Sequence, residues 1–247
     1  PKLNGMRCIA NRKGLWTRTG ERITSIPNIE MILAPLFEKY PDLILDGELY
    51  NHEYKEDFNS LMSAFRKDHP TEEGMKIAEY WVYDIPSHHY PYGDRYKRIK
   101  YLLENYHDKI KIVETTYIEN EEQLHEKMNE YLSNIYEGQI LRRDTHYENK
   151  RTKNLLKHKK FIDDEFEIVE INEGKGNWAG YAKPITLKLK DGRTFGATLT
   201  GTREYCKKIL ENKEKYIGKP GTVKFFQYTP DGKPLFGVVI DLGREDL

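Results

Sequence analysis

A lysine at the start of the chain is the first residue that could do chemistry. The sequence begins PKLNGMR, and Lys2 precedes a turn in which Gly5 allows the backbone to approach a ligand closely. A lysine amine attacks phosphorus only when it is unprotonated, so desolvation or nearby positive charge, such as a metal ion or Arg7, must lower its pKa. Taken alone, a lysine before Asn-Gly is more often an ordinary turn residue.

Five short motifs further along the chain could complete a site for a phosphorylated ligand. They supply an arginine, two acids, an aromatic ring and a lysine pair: Arg18 in TRTG, Glu48 in LDGELY, Tyr83 in WVYDI, Glu137 in YEGQILRR, and Lys157 and Lys159 in LLKHKKF. The two lysines are two residues apart on an expected strand, so they point to one face and can bind a phosphate together. Ordinary alternatives are solvated acids, a core tyrosine and lysines that protect a strand edge.

Composition excludes several classes of protein. With 247 residues, 38% of them hydrophobic and 32% charged, the chain can bury a core without disulfide bonds. It has no apolar run of about 18 residues and no signal-peptide pattern, so we expect no membrane association and a cytoplasmic location. Cys8 and Cys206 lie far apart, which argues against a disulfide scaffold and a zinc site.

The charge is balanced overall but not locally. Lys+Arg and Asp+Glu number 40 each, so no global attraction to nucleic acid is predicted. Residues 1–20 nevertheless carry basic side chains and no acid, and residues 142–160 carry eight basic side chains against two acids. These two basic segments indicate either anion-binding sites or solvated surface.

The elements that would position these residues fall into two domains, at 1–161 and 162–247. Apolar periodicity in the first domain predicts helices over 28–38 and 97–107, and a third that Asn120 caps; apolar runs predict strands over 43–49, 80–85 and 138–143. This is an α+β pattern. The second domain alternates strands at 166–171, 185–190 and 194–199, a helix at 203–216, and strands at 222–228 and 236–242. Three strands, a helix and two strands is the order of an OB-fold barrel.

The six motifs, in this order and spacing, resemble those of the ATP-dependent DNA ligases. These enzymes belong to the covalent nucleotidyltransferase superfamily, which also contains RNA ligases and messenger RNA capping enzymes. The motifs span residues 2–159, and the OB-like segment fills the rest of the chain. The resemblance implies a nucleotidyltransferase domain of the ATP-grasp-like ligase type followed by a C-terminal OB-fold β-barrel, in a compact enzyme without a long clamp insertion.

The resemblance also implies an activity. In such enzymes the motif lysine, here Lys2, attacks the α-phosphorus of ATP, releases pyrophosphate and keeps AMP as a lysyl-adenylate. AMP then passes to the 5′-phosphate at a nick, and the 3′-hydroxyl displaces it to seal the strand. Charge neutralisation and positioning should dominate such displacements at phosphorus. The expected partners are ATP and nicked duplex DNA, and we expect a monomer.

The basic residues receive roles from the same resemblance. Lys157 and Lys159 would contact the α-phosphate and stabilise the charge that develops in the reaction. Arg7 would bind the nucleotide phosphates, and Arg18 the nicked strand, because the planar fork of arginine can bind two oxygens. Arg244, in VVIDLGRED, would bind nucleic acid or reach the β- and γ-phosphates of ATP when the OB domain closes.

The remaining roles concern adenosine and metal. Glu48 would hold the ribose hydroxyls or assist with Mg²⁺, Glu137 would bind Mg²⁺, and Tyr83 would stack on adenine. Two points depart from the family pattern. Asn4 replaces the usual aspartate, and Lys2 is nearly terminal although the family places adenine-contacting backbone upstream of it, which is compatible with a fragment of a longer protein.

Two other functions fit parts of the sequence. An RNA ligase or a capping-type nucleotidyltransferase would share the same motifs. A non-catalytic OB-type nucleic-acid binding module, fused to a degenerate nucleotidyltransferase, would use the loop 173–184, which mixes glycine with Trp178, Tyr181 and two lysines. Retention of all the charged motif residues argues against degeneration, since each would cost stability if buried without use.

Overall fold

A computed structural model describes residues 1–87 and 89–242, which form two compact units. The first unit runs from Pro1 to Lys159, and the second begins at Lys160. Each has its own apolar core, as domains of this size do. Within the described residues, no helix is long and apolar enough to cross a membrane.

A five-stranded sheet lies at the centre of the first unit. Its strands are β1 (Met6–Asn11), β2 (Gly14–Thr17), β3 (Leu45–Tyr50), β4 (Glu79–Asp84) and β5 (Ile110–Ile112). They are ordered β2-β1-β3-β4-β5, with all neighbours antiparallel except β4 and β5. Cys8 of β1 and Leu49 of β3 are buried in the core, so Arg7 and Glu48, which are directly opposite each other, point to the other face.

Five helices accompany this sheet: α1 (Pro27–Lys39), α2 (Phe58–Phe65), α3 (Glu72–Ile77), α4 (Tyr92–Leu103) and α5 (Glu121–Ser133). The predicted apolar face of α1 is confirmed. Asn120 caps α5 as predicted, because its side-chain oxygen accepts a hydrogen bond of 2.9 Å from the Gln123 N–H. The helix predicted over 97–107 is shifted: α4 begins at Tyr92 after Pro91 and ends before Asn105, which has a left-handed φ of 59°.

The last two strands of the first unit form a separate antiparallel pair. They are β6 (Gly138–Arg142) and β7 (Leu155–Lys159), joined by the long segment 143–154. The register places Gly138 opposite Lys159 and Ile140 opposite Lys157. The motif around Glu137 leads into β6, and the motif with Lys157 and Lys159 forms β7. The two motifs therefore lie side by side.

The second unit is a closed five-stranded barrel. It contains β8 (Ile162–Glu173), β9 (Ala182–Lys188), β10 (Thr194–Leu199), α6 (Arg203–Glu211), β11 (Pro220–Phe225) and β12 (Val238–Leu242). The predicted order of three strands, a helix and two strands is confirmed. Strand β8 is longer than predicted because its first half pairs with β11 and its second half with β9. Helix α6 ends at Glu211, before a short 3₁₀ turn, rather than at residue 216.

Candidate active site

Lys2 is fixed by backbone hydrogen bonds to the residues that open β6. Its N–H donates to the Gly138 carbonyl at 2.8 Å, and the Glu137 N–H donates to the Lys2 carbonyl at 3.1 Å. The Nζ of Lys2 contacts the Glu137 carboxylate, and the two side chains are 13% and 6% exposed. The chain thus brings together two predicted site residues that are 135 positions apart.

Glu137 lies between two ammonium groups. Its Oε2 contacts Lys2 and its Oε1 contacts Lys159, whose side chain is 25% exposed. Pairing with two cations offsets the cost of burying the carboxylate. Gly138, the next residue, allows the backbone after Glu137 to lie close to β7. It has a left-handed φ of 137°, and a Cβ there would lie 2.3 Å from the His158 carbonyl oxygen.

The pKa of Lys2 is lowered from its ordinary value. Burial is the largest cause, and the nearby charge of Lys159 lowers it further, whereas Glu137 and Glu48 raise it. The sequence predicted that desolvation or positive charge must act on this amine. The structure supplies burial and Lys159, while Arg7 binds a different carboxylate. A lowered pKa increases the fraction of Lys2 that is unprotonated and able to attack.

Glu48 reaches the same region from the centre of the sheet. Its carboxylate accepts a hydrogen bond of 3.2 Å from the Gly5 N–H, and a Cβ on Gly5 would lie 2.4 Å from the Leu49 carbonyl oxygen. Gly5 therefore allows the N-terminal segment to lie close to β3, and its predicted approach to a ligand stays a prediction. Burial raises the pKa of Glu48 to about 7, against the lowering effect of Lys2.

Arg7 is bound to Asp46 on the neighbouring strand. Its Nε and Nη2 donate to the two carboxylate oxygens at 2.9 and 2.7 Å, and Nη2 also lies 2.9 Å from the Tyr147 hydroxyl. The hydrogen bonds to Asp46 are the main reason that the pKa of Arg7 is raised. Arg7 remains 34% exposed while Asp46 is buried, so the guanidinium can still be reached from one side.

Tyr83 lies on β4 beside a second buried ion cluster. The register between β3 and β4 skips Tyr83 at a β-bulge, an irregularity that can redirect a side chain. The guanidinium of Arg142 lies 5.3 Å from the centre of the Tyr83 ring. Arg142 also donates to Asp84 at 2.7 Å, and the fully buried Asp84 accepts a further 2.7 Å bond from Arg95. This half-buried tyrosine is thus supported by a fixed cation.

The segment 143–154 is attached to the main sheet and to α4. The carboxylate of Asp144 accepts a 2.8 Å bond from the Gly93 N–H, and the Thr145 carbonyl accepts a 2.9 Å bond from Arg95. The Tyr147 hydroxyl donates to Asp46 at 3.0 Å, and its N–H donates to the Ser87 carbonyl at 3.1 Å. These bonds fix the pair of strands β6 and β7 relative to the sheet that carries Glu48.

Three of the predicted site residues lie outside the group of contacts described above. Lys157 is exposed on β7, and Arg18 is exposed in the turn after β2; neither makes an ion pair within the described part of the chain. Arg244 falls beyond the described residues. The roles predicted for these three residues stay predictions.

The acids of the site suit one kind of metal ion. Over residues 1–87 and 89–242, no group of three or more His, Cys, Asp or Glu side chains could hold a metal ion. Magnesium bound with a nucleotide commonly uses one or two carboxylates together with phosphate oxygens. Glu48 and Glu137 provide such a donor set.

Comparison with known proteins places the chain in a family. Residues 1–159 match the model of the ATP-dependent DNA ligase domain. The chain belongs to this ligase family. A DNA ligase of Haemophilus influenzae is 27% identical over 238 residues, covering 95% of this chain and 82% of that protein. The DNA ligase of Enterobacteria phage T4 is 23% identical, and the match covers 88% of this chain and 57% of that protein.

Solved structures of DNA ligases share the fold. A Lig E DNA ligase superposes with a TM-score of 0.81 at 21% identity, covering 98% of this chain and 90% of the other. The adenylated DNA ligase of Chlorella virus gives a TM-score of 0.50 at 25% identity, over 100% and 91% of the two chains. The predicted nucleotidyltransferase domain followed by an OB-fold barrel is thereby confirmed for this ligase.

Sequence reasoning missed the buried ion network of the ligase. Its members that carried no predicted role are Asp46, Asp84, Arg95, Arg142 and Tyr147. Asp46 could have been found, because it is two residues before Glu48 on a strand and so shares its face. The pairing of Asp84 with Arg95 and Arg142 depends on tertiary contacts and left no local signal.

Proposed function

We propose that this ligase seals nicks in duplex DNA through an AMP that is carried on Lys2. The observation that supports the proposal most strongly is the half-buried Lys2 amine, with its lowered pKa, in contact with Glu137 and near Lys159. A lowered pKa leaves more of the amine unprotonated, which a nucleophile requires.

The first step joins AMP to the enzyme. Lys2 Nζ releases a proton to solvent, a loss that burial and the charge of Lys159 favour by lowering the pKa of the amine, and then attacks the α-phosphorus of ATP. A phosphorus–nitrogen bond forms as the bond to the β-phosphate oxygen breaks, and pyrophosphate leaves. Lys159 and the exposed Lys157 neutralise charge that develops on the α-phosphate oxygens.

The remaining side chains hold the nucleotide. Tyr83 stacks on adenine, Glu48 accepts hydrogen bonds from the ribose hydroxyls, and Arg7 binds phosphate oxygens through the side of its guanidinium that is left exposed. Glu48 and Glu137 would hold Mg²⁺, which supplies charge neutralisation on the phosphates when bound.

The later steps use DNA. The 5′-phosphate at the nick attacks the phosphorus of the lysyl-adenylate and frees Lys2, and the 3′-hydroxyl then displaces AMP as the strand is joined. Arg18 and Arg244 would contact the DNA, with residues 1–161 acting as the adenylation domain and residues 162–247 as the OB domain of a monomer.

Labelling with nucleotide tests the proposal. The protein should become labelled by α-³²P ATP in the presence of Mg²⁺, and mass spectrometry should find AMP on Lys2. Lys2→Arg keeps the charge but should abolish labelling, because a guanidinium is not deprotonated at ordinary pH. Label on another residue, or undiminished labelling of Lys2→Arg, contradicts the proposal.

Substrate comparison separates the related functions. The wild-type protein should form the adduct with ATP and not with GTP, and should seal nicked DNA faster than a nicked RNA duplex. Preference for GTP would favour a capping-type enzyme, and preference for RNA an RNA ligase. Binding of nucleic acid without any adduct would favour a non-catalytic module.

A further inference from the structure

The turn that leads into Glu137 is built around an isoleucine in a left-handed conformation. After α5, the Ile135 N–H donates to the Leu132 carbonyl at 3.0 Å, and the Tyr136 N–H donates to the Tyr131 carbonyl at 2.9 Å. These two bonds define a Schellman motif, in which the left-handed position is usually glycine. Here Ile135 occupies it with a φ of 62°. A β-branched side chain is disfavoured there, so contacts outside the turn must stabilise it.

Tyr136, which separates this turn from Glu137, is held by rings on two sides. It stacks on the imidazole of His52, with ring centres 4.3 Å apart and planes inclined by 24°. The ring of Tyr131 meets it edge to face at 6.0 Å. Tyr136 therefore cannot move with a relaxing turn unless it leaves the stack with His52.

His52 itself is rigidly placed. Its Nδ1 lies 2.8 Å from the hydroxyl of Tyr50, whose buried ring packs edge to face against Trp81 at 5.5 Å. Asn51, the residue before His52, is buried and donates from its side-chain amide to the Ile77 carbonyl at 2.9 Å. Tyr50 and Glu48 lie on the same face of β3, so the strand that carries Glu48 also carries the tyrosine that holds His52.

We propose that His52 is a positioning residue for Glu137. Its ring fixes Tyr136, and Tyr136 in turn keeps the strained turn at Ile135 from relaxing, so that the Glu137 carboxylate stays against Lys2. The inference rests on the proposed role of Lys2 and Glu137 in adenylation. His52 acts through Tyr136.

A pair of substitutions at His52 tests the stacking. His52→Ala removes the ring, whereas His52→Phe, made together with Tyr50→Phe so that no buried hydroxyl is left without its partner, keeps a ring that can stack and serves as the matched control. At saturating ATP, the rate of lysyl-AMP formation should fall about tenfold or more in the alanine variant and stay within about threefold of wild type in the phenylalanine variant, since small displacements of reacting groups are costly. The ATP concentration for half-maximal rate should change by less than about twofold in both, because the adenosine contacts remain.

A second substitution tests the strain. Ile135→Gly removes the penalty of the left-handed position, so adding it to His52→Ala should restore the rate by about threefold or more. If His52→Ala does not fold, Tyr136→Leu and Tyr136→Phe pose the same question from the other ring of the stack.

The outcomes are distinct. A folded His52→Ala protein that adenylates at the wild-type rate overturns the inference. So does a phenylalanine variant as slow as the alanine variant, or a failure of Ile135→Gly to improve His52→Ala. If the wild-type protein forms no lysyl-AMP at all, the proposed function fails instead.

Discussion

Lys2 and Glu137 are joined twice, once by a backbone hydrogen bond of 3.1 Å and once through their side chains. The backbone bond fixes where the two residues lie. In the proposed adenylation, the side-chain contact can then break, when the amine loses its proton and bonds to phosphorus, without separating the residues. The groups therefore do not have to be reassembled in each cycle, which is the advantage of a preorganised site.

Glu137→Gln should slow adenylation about a hundredfold, because a neutral amide binds Mg²⁺ and the Lys2 ammonium more weakly than a carboxylate does, and it should shift the pH dependence. The Glu137 carboxylate raises the pKa of Lys2, so its loss leaves burial and Lys159 to lower that pKa further. Because the rate follows the unprotonated fraction of Lys2, the rising limb of the profile should move to lower pH. Single-turnover labelling across a pH series measures this, with the exposed Glu126→Gln as control. A limb at unchanged or higher pH would contradict the prediction.

Glu48→Gln should remove one component of the pH dependence of stability. Burial raises the pKa of Glu48 from 4.5 to about 7. The protonated carboxyl group therefore stabilises the folded state. This contribution is complete at a pH below the pKa of Glu48 in the unfolded chain, and it is lost as the pH rises through the pKa of Glu48 in the folded protein. Between those values, wild type should lose up to about 3 kcal/mol relative to Glu48→Gln. Denaturant unfolding of both proteins at pH 4.5 and pH 7.5 measures this loss of stability. If the two proteins differ in stability by the same amount at both pH values, the raised pKa of Glu48 is contradicted.

Gly138→Ala should destabilise the first unit and stop adenylation. The added Cβ would meet the His158 carbonyl at 2.3 Å, in a backbone conformation that alanine avoids. We expect a loss of about 2–4 kcal/mol in the free energy of unfolding. Gly93→Ala is the control, since its Cβ would make only an ordinary contact of 3.5 Å with Asp144. Equal stability of the two variants would be inconsistent with the close packing of β6 and β7.

Asp84→Asn should cost about 3 kcal/mol or more, because it leaves the buried Arg95 and its neighbour Arg142 without a balancing charge. Asp94→Asn, which breaks an exposed pair with Lys97, should cost less than about 0.5 kcal/mol. Thermal or denaturant unfolding distinguishes the two. Loss of the support for Tyr83 should also weaken ATP binding by Asp84→Asn, and a variant with normal stability and affinity would show that the cluster is dispensable.

Elements with a regular apolar pattern could be predicted from the sequence. Helix α1 buries every third or fourth residue, and the barrel strands alternate between core and solvent. Helix α4 was placed too late along the chain because its first turns bury Arg95, whose burial depends on a distant aspartate and not on apolar character. The three-residue strand β5 is too short to show any period.

The site was predictable in composition but not in geometry. Motif order indicated which side chains could react, and the structure places Glu137, Lys159 and Glu48 close enough to Lys2 to affect its pKa. The contacts of Lys2 with Glu137 depend on pairing between segments at opposite ends of the first unit. Sequence spacing carries no information about such pairing, nor about Arg7 being bound to Asp46.

The attachment of segment 143–154 has a consequence for how the first unit opens. Two strands alone are marginally stable in water, so β6 and β7 depend on the bonds that Arg95, Tyr147 and their neighbours make to the rest of the unit. The pair of strands β6 and β7 should therefore unfold together with the five-stranded sheet rather than before it. Amide hydrogens of β6 would then exchange with solvent as slowly as those of β3, and Glu48 and Glu137 would lose their positions in a single cooperative event.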